Sequence, residues 1–221
     1  ALAAEQSAGA SRSLDRFLQL SQAINLNLDL EATLKAILEQ VAGLLPADYL
    51  EITVWQADEK RLAPYRLASA GEDRRLEKTG ERYSAERGYT GLLFSQRQPL
   101  LIREPVRFHQ ENPQVEAKSY PFAAYLGMPL LVEGNPVGTL ELASLTPDAY
   151  SEKDVQVLRL VADQAAVAVQ HAVLYRQGER RLQESAANAS LGPILLTPRS
   201  NRNSSRSSSV ENPYNCRASS R

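Results

Sequence analysis

Apolar residues recur at helical spacing at Leu14, Phe17, Leu18 and, less regularly, Ile24, which predicts a short amphipathic helix. A polar break, Asn25 to Asn27, follows it. Asp29 then stands where an N-cap would, ahead of a second stripe at Leu30, Leu34, Ile37, Leu38, Val41 and Leu45. That helix should stop before Pro46, because the residue preceding a proline resists helical geometry. The period then changes to two. From Tyr49 to Ala57, Leu50, Ile52 and Val54 point one way, and Tyr49, Glu51, Thr53 and Trp55 the other. Asp58 to Arg61 reads as a polar turn and Leu62 to Ser69 as the returning strand of an antiparallel hairpin. Leu100 to Arg103 predicts a short strand after Pro99. Ala123 to Val132 and Val137 to Ser144 predict a second strand pair around Glu133-Gly-Asn-Pro136.

The last element is the longest. Ser151, with Asp154 three residues on, makes a capping-box-like start. Val155, Leu158, Ala162, Ala165, Val169 and Ala172 follow at alternating spacings of three and four, a coiled-coil-like seam that Tyr175 and Leu182 extend past Gly178. Continuous from Ser151 to Ala187, this helix would be roughly 55 Å long, more than one domain needs to close its core. The excess points toward a partner subunit or a following domain. Helices, a strand hairpin, a central helical and loop region, a second hairpin and a long helix together predict an α+β domain built on a sheet. The order is not the alternating βαβ of a nucleotide-binding sheet.

Composition adds limits. The chain has 221 residues, 43% apolar and 23% charged, with a net charge of −1, which points to neither nucleic acid nor an acidic membrane as the main partner. Residues 189–221 carry five arginines and one glutamate among many serines and asparagines, so this stretch holds +4 and the rest −5. So few large apolar residues predict a disordered tail. The sole cysteine, Cys216, lies in it and can form neither an internal disulfide nor a thiolate metal cluster. No run of 18 apolar residues and no secretory signal is visible, so a cytoplasmic location is expected.

Gly88-Tyr-Thr-Gly91, Gln98-Pro-Leu-Leu-Ile102 and Arg107-Phe108 resemble the middle of a GAF domain. So does Met128-Pro-Leu-Leu-Val-Glu-Gly-Asn-Pro-Val-Gly-Thr-Leu-Glu-Leu142. Tyr150-Ser-Glu-Lys-Asp-Val155, with Leu158, Ala162, Gln164-Ala-Ala166 and Ala172 to Tyr175, is similar to the C-terminal helix of that family. The resemblance spans residues 14–175. Residues 1–13 are then an N-terminal extension, and residues 176–188 a helical linker that continues the last helix. It implies an antiparallel sheet with the N- and C-terminal helices on one face and a helix-loop ligand region on the other. Such domains are sensory or docking modules of signalling proteins, histidine kinases of two-component systems among them, and pass signals through their terminal helices.

The resemblance therefore implies a homodimer through those helices, with Val155, Leu158, Ala162, Ala165, Val169, Ala172 and Tyr175 as the signalling seam, and an output domain on the same polypeptide. Bilin-binding members need a cysteine and an Asp-Ile-Pro, and reductase members need redox cysteines inside the domain. Neither is present in residues 14–175. The set expected for cyclic-nucleotide binding is also missing. A non-catalytic domain is expected, with no cofactor named. The candidate small-molecule site gathers Phe108, His109, Tyr120, Phe122, Tyr125 and Met128, with Arg103 as an anion partner. Core filling accounts for the same aromatics slightly better than a ligand site does. Glu141 lies mid-strand, pointing opposite to Leu140 and Leu142, and cannot be buried unpaired. His171, on the long helix, reads as surface, and His109 as a loop residue open to a ligand or metal. No His/Asp/Glu cluster has metal-ligand spacing. The alternatives are a small-molecule-processing enzyme of the same fold and a nucleic-acid binder working through the basic tail.

Overall fold

The computed structural model describes residues 29–70, 73–113, 115 and 122–190. The expected helix at Leu14 to Ile24, the extension 1–13, Tyr120 and the tail from 191 onward lie outside these residues. The chain divides into two units, Ala1–Leu182 and Gln183–Arg221. The first holds everything that follows, apart from the last residues of the long helix.

Asp29 caps α1 (Leu30–Leu44), its carboxylate accepting from the Ala32 amide at 3.2 Å, a bond of the kind that stabilises a helix by about 1 kcal/mol. The strands β1 (Tyr49–Gln56), β2 (Arg61–Ala70), β3 (Asp73–Lys78), β4 (Leu100–Ile102), β5 (Ala124–Val132) and β6 (Asn135–Ser144) form one antiparallel sheet in the order β3-β2-β1-β6-β5-β4. Between β3 and β5 lie α2 (Gly88–Gln96) and α3 (Pro105–Glu111). The chain then enters α4 (Glu152–Ser190), where the Asp154 carboxylate accepts from the Ser151 amide and hydroxyl, both at 2.7 Å. The β5–β6 turn is a two-residue one with positive φ at Glu133 and Gly134, the type whose twist matches antiparallel strands.

Two elements escape the sequence pattern. The alternation of β3 is hidden because Asp73, Arg74, Arg75, Glu77 and Lys78 surround a single leucine, Leu76. Such a charged strand belongs at a sheet edge, where it discourages pairing with other chains, and β3 is an edge. Phe108 and His109, which read from sequence as loop, lie instead on α3, a seven-residue helix with proline in its first turn.

The two faces differ as the resemblance implies. Leu50, Ile52 and Val54 of β1, Leu126, Met128 and Leu130 of β5, and Leu140 and Leu142 of β6 pack against α1 and α4. The expected signalling seam is here: Val155, Leu158, Ala162, Ala165, Val169 and Ala172 are buried in this core, and only Tyr175 is exposed. This corrects their assignment as a dimer seam, because a stripe already covered by its own sheet has no surface left for a partner. One stretch of the same helix has a mean hydropathy of 1.3, long and apolar enough by composition to cross a membrane. Its sheet-packed residues account for much of that value.

On the opposite face, α2 and α3 cover Tyr125, Ile102 and Ala143. The central strands approach closely. A Cβ at Gly138 would overlap the carbonyl oxygen of Thr53, and its φ is ordinary, so the constraint is space. Gly178, in contrast, has open space around it in an exposed helical turn. Gly138→Ala should therefore destabilise the domain by about 2–4 kcal/mol, whereas Gly178→Ala should stabilise it by up to about 1 kcal/mol. Thermal melts of the two variants check the opposite signs.

Candidate functional site

The side chains that point away from α1 and α4 form a buried polar face. Strand register explains it. Glu77 of β3 pairs with Arg66 of β2, Arg66 with Glu51 of β1, Glu51 with Glu141 of β6, Glu141 with Gly127 of β5, and Gly127 with Leu100 of β4. One row thus crosses all six strands and places two carboxylates side by side at its centre, an arrangement that is repulsive when both are charged. Glu51 is 1% exposed and Glu141 4%.

Each carboxylate has its own donors. Glu51 Oε2 accepts from the Tyr49 hydroxyl at 2.6 Å, Arg66 Nε at 2.7 Å and the Tyr83 hydroxyl at 3.2 Å. Arg66 also lies over the Tyr49 ring, 5.2 Å from its centroid, and its other nitrogen reaches Glu81 at 3.2 Å and the Tyr83 hydroxyl at 2.6 Å. Glu141 Oε1 accepts from the Thr139 hydroxyl at 2.6 Å. Its Oε2 accepts from Tyr125 at 2.7 Å and from Thr90 of α2 at 3.1 Å. The Thr53 and Thr139 hydroxyls, opposite each other, bond at 2.7 Å, and the Thr139 amide donates to Thr53 at 3.0 Å. The expectation that Glu141 cannot be buried alone holds, but its bonded partners are hydroxyls, not a cation.

The electrostatics follow from this inventory. Burial first, then the charge of Glu141, raise the Glu51 carboxyl to about 7, against the hydrogen bonds from Tyr49 and Arg66. Burial also raises Glu141, against the bonds from Thr139, Tyr125 and Thr90. Burial opposes the charge on Arg66, but the hydrogen bond and charge of Glu51 outweigh it, so the guanidinium stays protonated. Burial and the adjacent Glu51 keep the Tyr49 hydroxyl protonated.

Beside the carboxylates lies the aromatic group. Tyr89 packs on Tyr125 at 4.7 Å, Phe108 at 5.6 Å and His109 at 5.4 Å, and Phe122 packs on Tyr49 at 5.3 Å. The Tyr89 hydroxyl and His109 Nε2 are 2.7 Å apart, and burial pushes the Tyr89 phenol up to about 12. His109 Nδ1 is buried with no hydrogen-bond partner. Gly127 makes room for this closure, since a Cβ there would collide with Leu93 of α2 and with Tyr125.

Of the residues proposed from sequence, Phe108, His109, Phe122, Tyr125 and Glu141 come together on this face. Met128 does not: the strand's alternation turns it into the opposite core, among Leu126 and Leu130. Arg103 follows β4 with its side chain half exposed, 4.0 Å from Glu152 of α4, away from the aromatic group. Tyr49, Glu51, Arg66, Tyr83, Tyr89 and Thr90 were not singled out. For Tyr49 and Glu51 the signal was available, since both were read on the non-core side of β1. Among the described residues, no group of three or more His, Cys, Asp or Glu side chains is placed to hold a metal ion.

The model of the GAF domain matches residues 29–169, most of the chain described above. The chain belongs to the GAF domain family. The GAF domain of a phosphoenolpyruvate-protein phosphotransferase from Acinetobacter superimposes with a TM-score of 0.59, covering 73% of this chain and 94% of that one at 21% identity. Its counterpart from Coxiella burnetii gives 0.60 over 75% and 96% at 18% identity. A free methionine-R-sulfoxide reductase from Neisseria meningitidis, solved with its substrate, gives 0.55 over 72% and 87% at 15% identity. These likenesses are ones of fold.

Because Glu51 and Glu141 hold protons more tightly in this GAF domain than in the unfolded chain, folding takes up protons. Their contribution is complete below the ordinary carboxylate value near 4.5; that of Glu51 is lost as pH rises through about 7, and that of Glu141 as pH rises through its own raised value. The melting temperature should fall by several degrees between pH 5 and about pH 8. Glu141→Gln should flatten that slope and raise the melting temperature at the alkaline end. Calorimetry across the pH range checks both.

Proposed function

We propose that this GAF domain is a non-catalytic sensory module that holds a small molecule against the polar and aromatic face beneath α2 and α3. The observation that carries this reading is His109 Nδ1, a buried polar atom with no partner, set among Tyr89, Phe108 and Tyr125. Buried polar atoms are nearly always bonded, and one left open in an aromatic cluster is a position for a ligand group. The non-catalytic reading is supported by the sequence, whose single thiol is Cys216, outside the matched domain. The hydrogen bonds to the buried carboxylates from Tyr49, Arg66, Thr139, Tyr125 and Thr90 fit a structural role for them.

In this reading the state of the face passes through the terminal helices to an output domain of the same polypeptide, such as a histidine kinase, in the cytoplasm. A homodimer would form on the outer side of α4, where Leu160, Val167 and Leu174 stand exposed seven residues apart. Native mass spectrometry of the chain purified from cells tests both parts together. The expected result is a two-subunit species carrying a small molecule, with the molecule lost from His109→Ala or Tyr89→Phe. A bare species in every preparation would end the ligand reading, and a monomer at high concentration would end the dimer. Turnover of any metabolite by this face would overturn the non-catalytic assignment.

A further inference from the structure

The central carboxylates do more than fill the face, because one of them is bonded to a helix. Glu141 sits on β6, in the middle of the sheet, and Thr90 on α2 donates to it at 3.1 Å. Tyr89, next to Thr90, packs on Tyr125, which donates to the same carboxylate oxygen. Any change in the charge of Glu141 is therefore felt where α2 meets the sheet. The charges around it do not balance. Arg66 of β2 neutralises Glu51 and reaches on to Glu81, while Tyr49 of β1 and Tyr83 add hydroxyl donors only. The hydrogen bonds to Glu141 come from Thr139 of β6, Tyr125 of β5 and Thr90 of α2, and none of these carries a charge. His109 of α3 is one residue further out, bonded to Tyr89.

We propose that Glu51 and Glu141 share one proton, and that this proton is a latch holding α2 closed over the sheet. With the proton in place, the pair carries a single negative charge, which Arg66 balances. When it leaves to water, two anions lie side by side beneath the helix with one guanidinium, that of Arg66 on the Glu51 side, to balance them. Water is then needed to solvate the second. Lifting α2 admits that water at Thr90, and the lifted state lets Glu141 return toward ordinary carboxylate behaviour. By linkage, a state that raises the affinity of Glu141 for its proton is favoured by that proton, so acid closes the helix and alkali opens it. Burial is the first cause of the upward displacement of both carboxyls, and it carries that of Glu51 to about 7. The latch stands on the fold alone, whatever else occupies the face.

Hydrogen exchange of the full chain, read by mass spectrometry at pH 6 and pH 8.5 and corrected for intrinsic rates, tests it. The peptide Gly88–Gln96 is compared with the core of α4, Leu158–Val169. Protection of α2 should fall by about tenfold or more relative to α4 at the higher pH. Glu141→Gln should remove the fall while leaving the helix protected at both. Glu141→Met provides the same test should the first variant fold poorly, since it too leaves Glu51 beside Arg66 as the one carboxylate, with no proton to share. A pH-independent α2 in the unaltered chain would overturn the latch. So would a fall that persists in a folded variant, or one matched across α4, which would mark global loosening instead.

Discussion

The structure turns on one unfavourable neighbour. Sheet register sets Glu51 beside Glu141 in the driest part of the polar face, and everything around them answers that choice. Arg66 leans over Tyr49 to reach Glu51, three hydroxyls converge on Glu141, and the next place in the row is left to a glycine. Two apolar residues of similar volume would make a simpler core, because removing charges from water is costly even when they are paired. A sheet that retains both carboxylates has polar chemistry at its centre, and that distinguishes this face from the one under α1 and α4.

Much of this was legible from the chain itself. The period of two in β1 separated Leu50, Ile52 and Val54 from Tyr49, Glu51 and Thr53, and the structure places these two sets on the two faces. The same alternation in β6 isolated Glu141. What the pattern does not hold is which strands are neighbours. Glu51 and Glu141 are 90 positions apart in the chain, and their meeting depends on β6 returning to lie against β1. Arg66 was invisible for a similar reason, since an arginine in a strand reads as solvent-facing until a buried partner is known. Met128 shows the opposite error. It was grouped with Tyr125 by nearness in sequence, although an odd separation along a strand sends two side chains to opposite faces.

The long helix teaches a related lesson. Its strongest stripe, Val155 to Ala172, has the spacing of a coiled coil, and the sheet takes it. An apolar stripe on a helix states that something covers it, but not whether that cover is the same chain. The weaker row at Leu160, Val167 and Leu174 is the one left to solvent. Separating the two required the sheet to be seen.

The hydroxyls of Thr53 and Thr139 take their direction from the carboxylate beside them. While Glu141 is ionised, the one hydrogen of the Thr139 hydroxyl is spent on Oε1, so Thr53 supplies the hydrogen between the two threonines and its oxygen also receives the Thr139 amide. A hydrogen arriving on Glu141 makes it a donor and obliges one of its bonded hydroxyls to turn, Thr139 at Oε1 or Tyr125 or Thr90 at Oε2. The charge at the sheet's centre therefore also sets the orientation of a chain of hydroxyls that runs from β1 through β6 to β5 and the overlying helix.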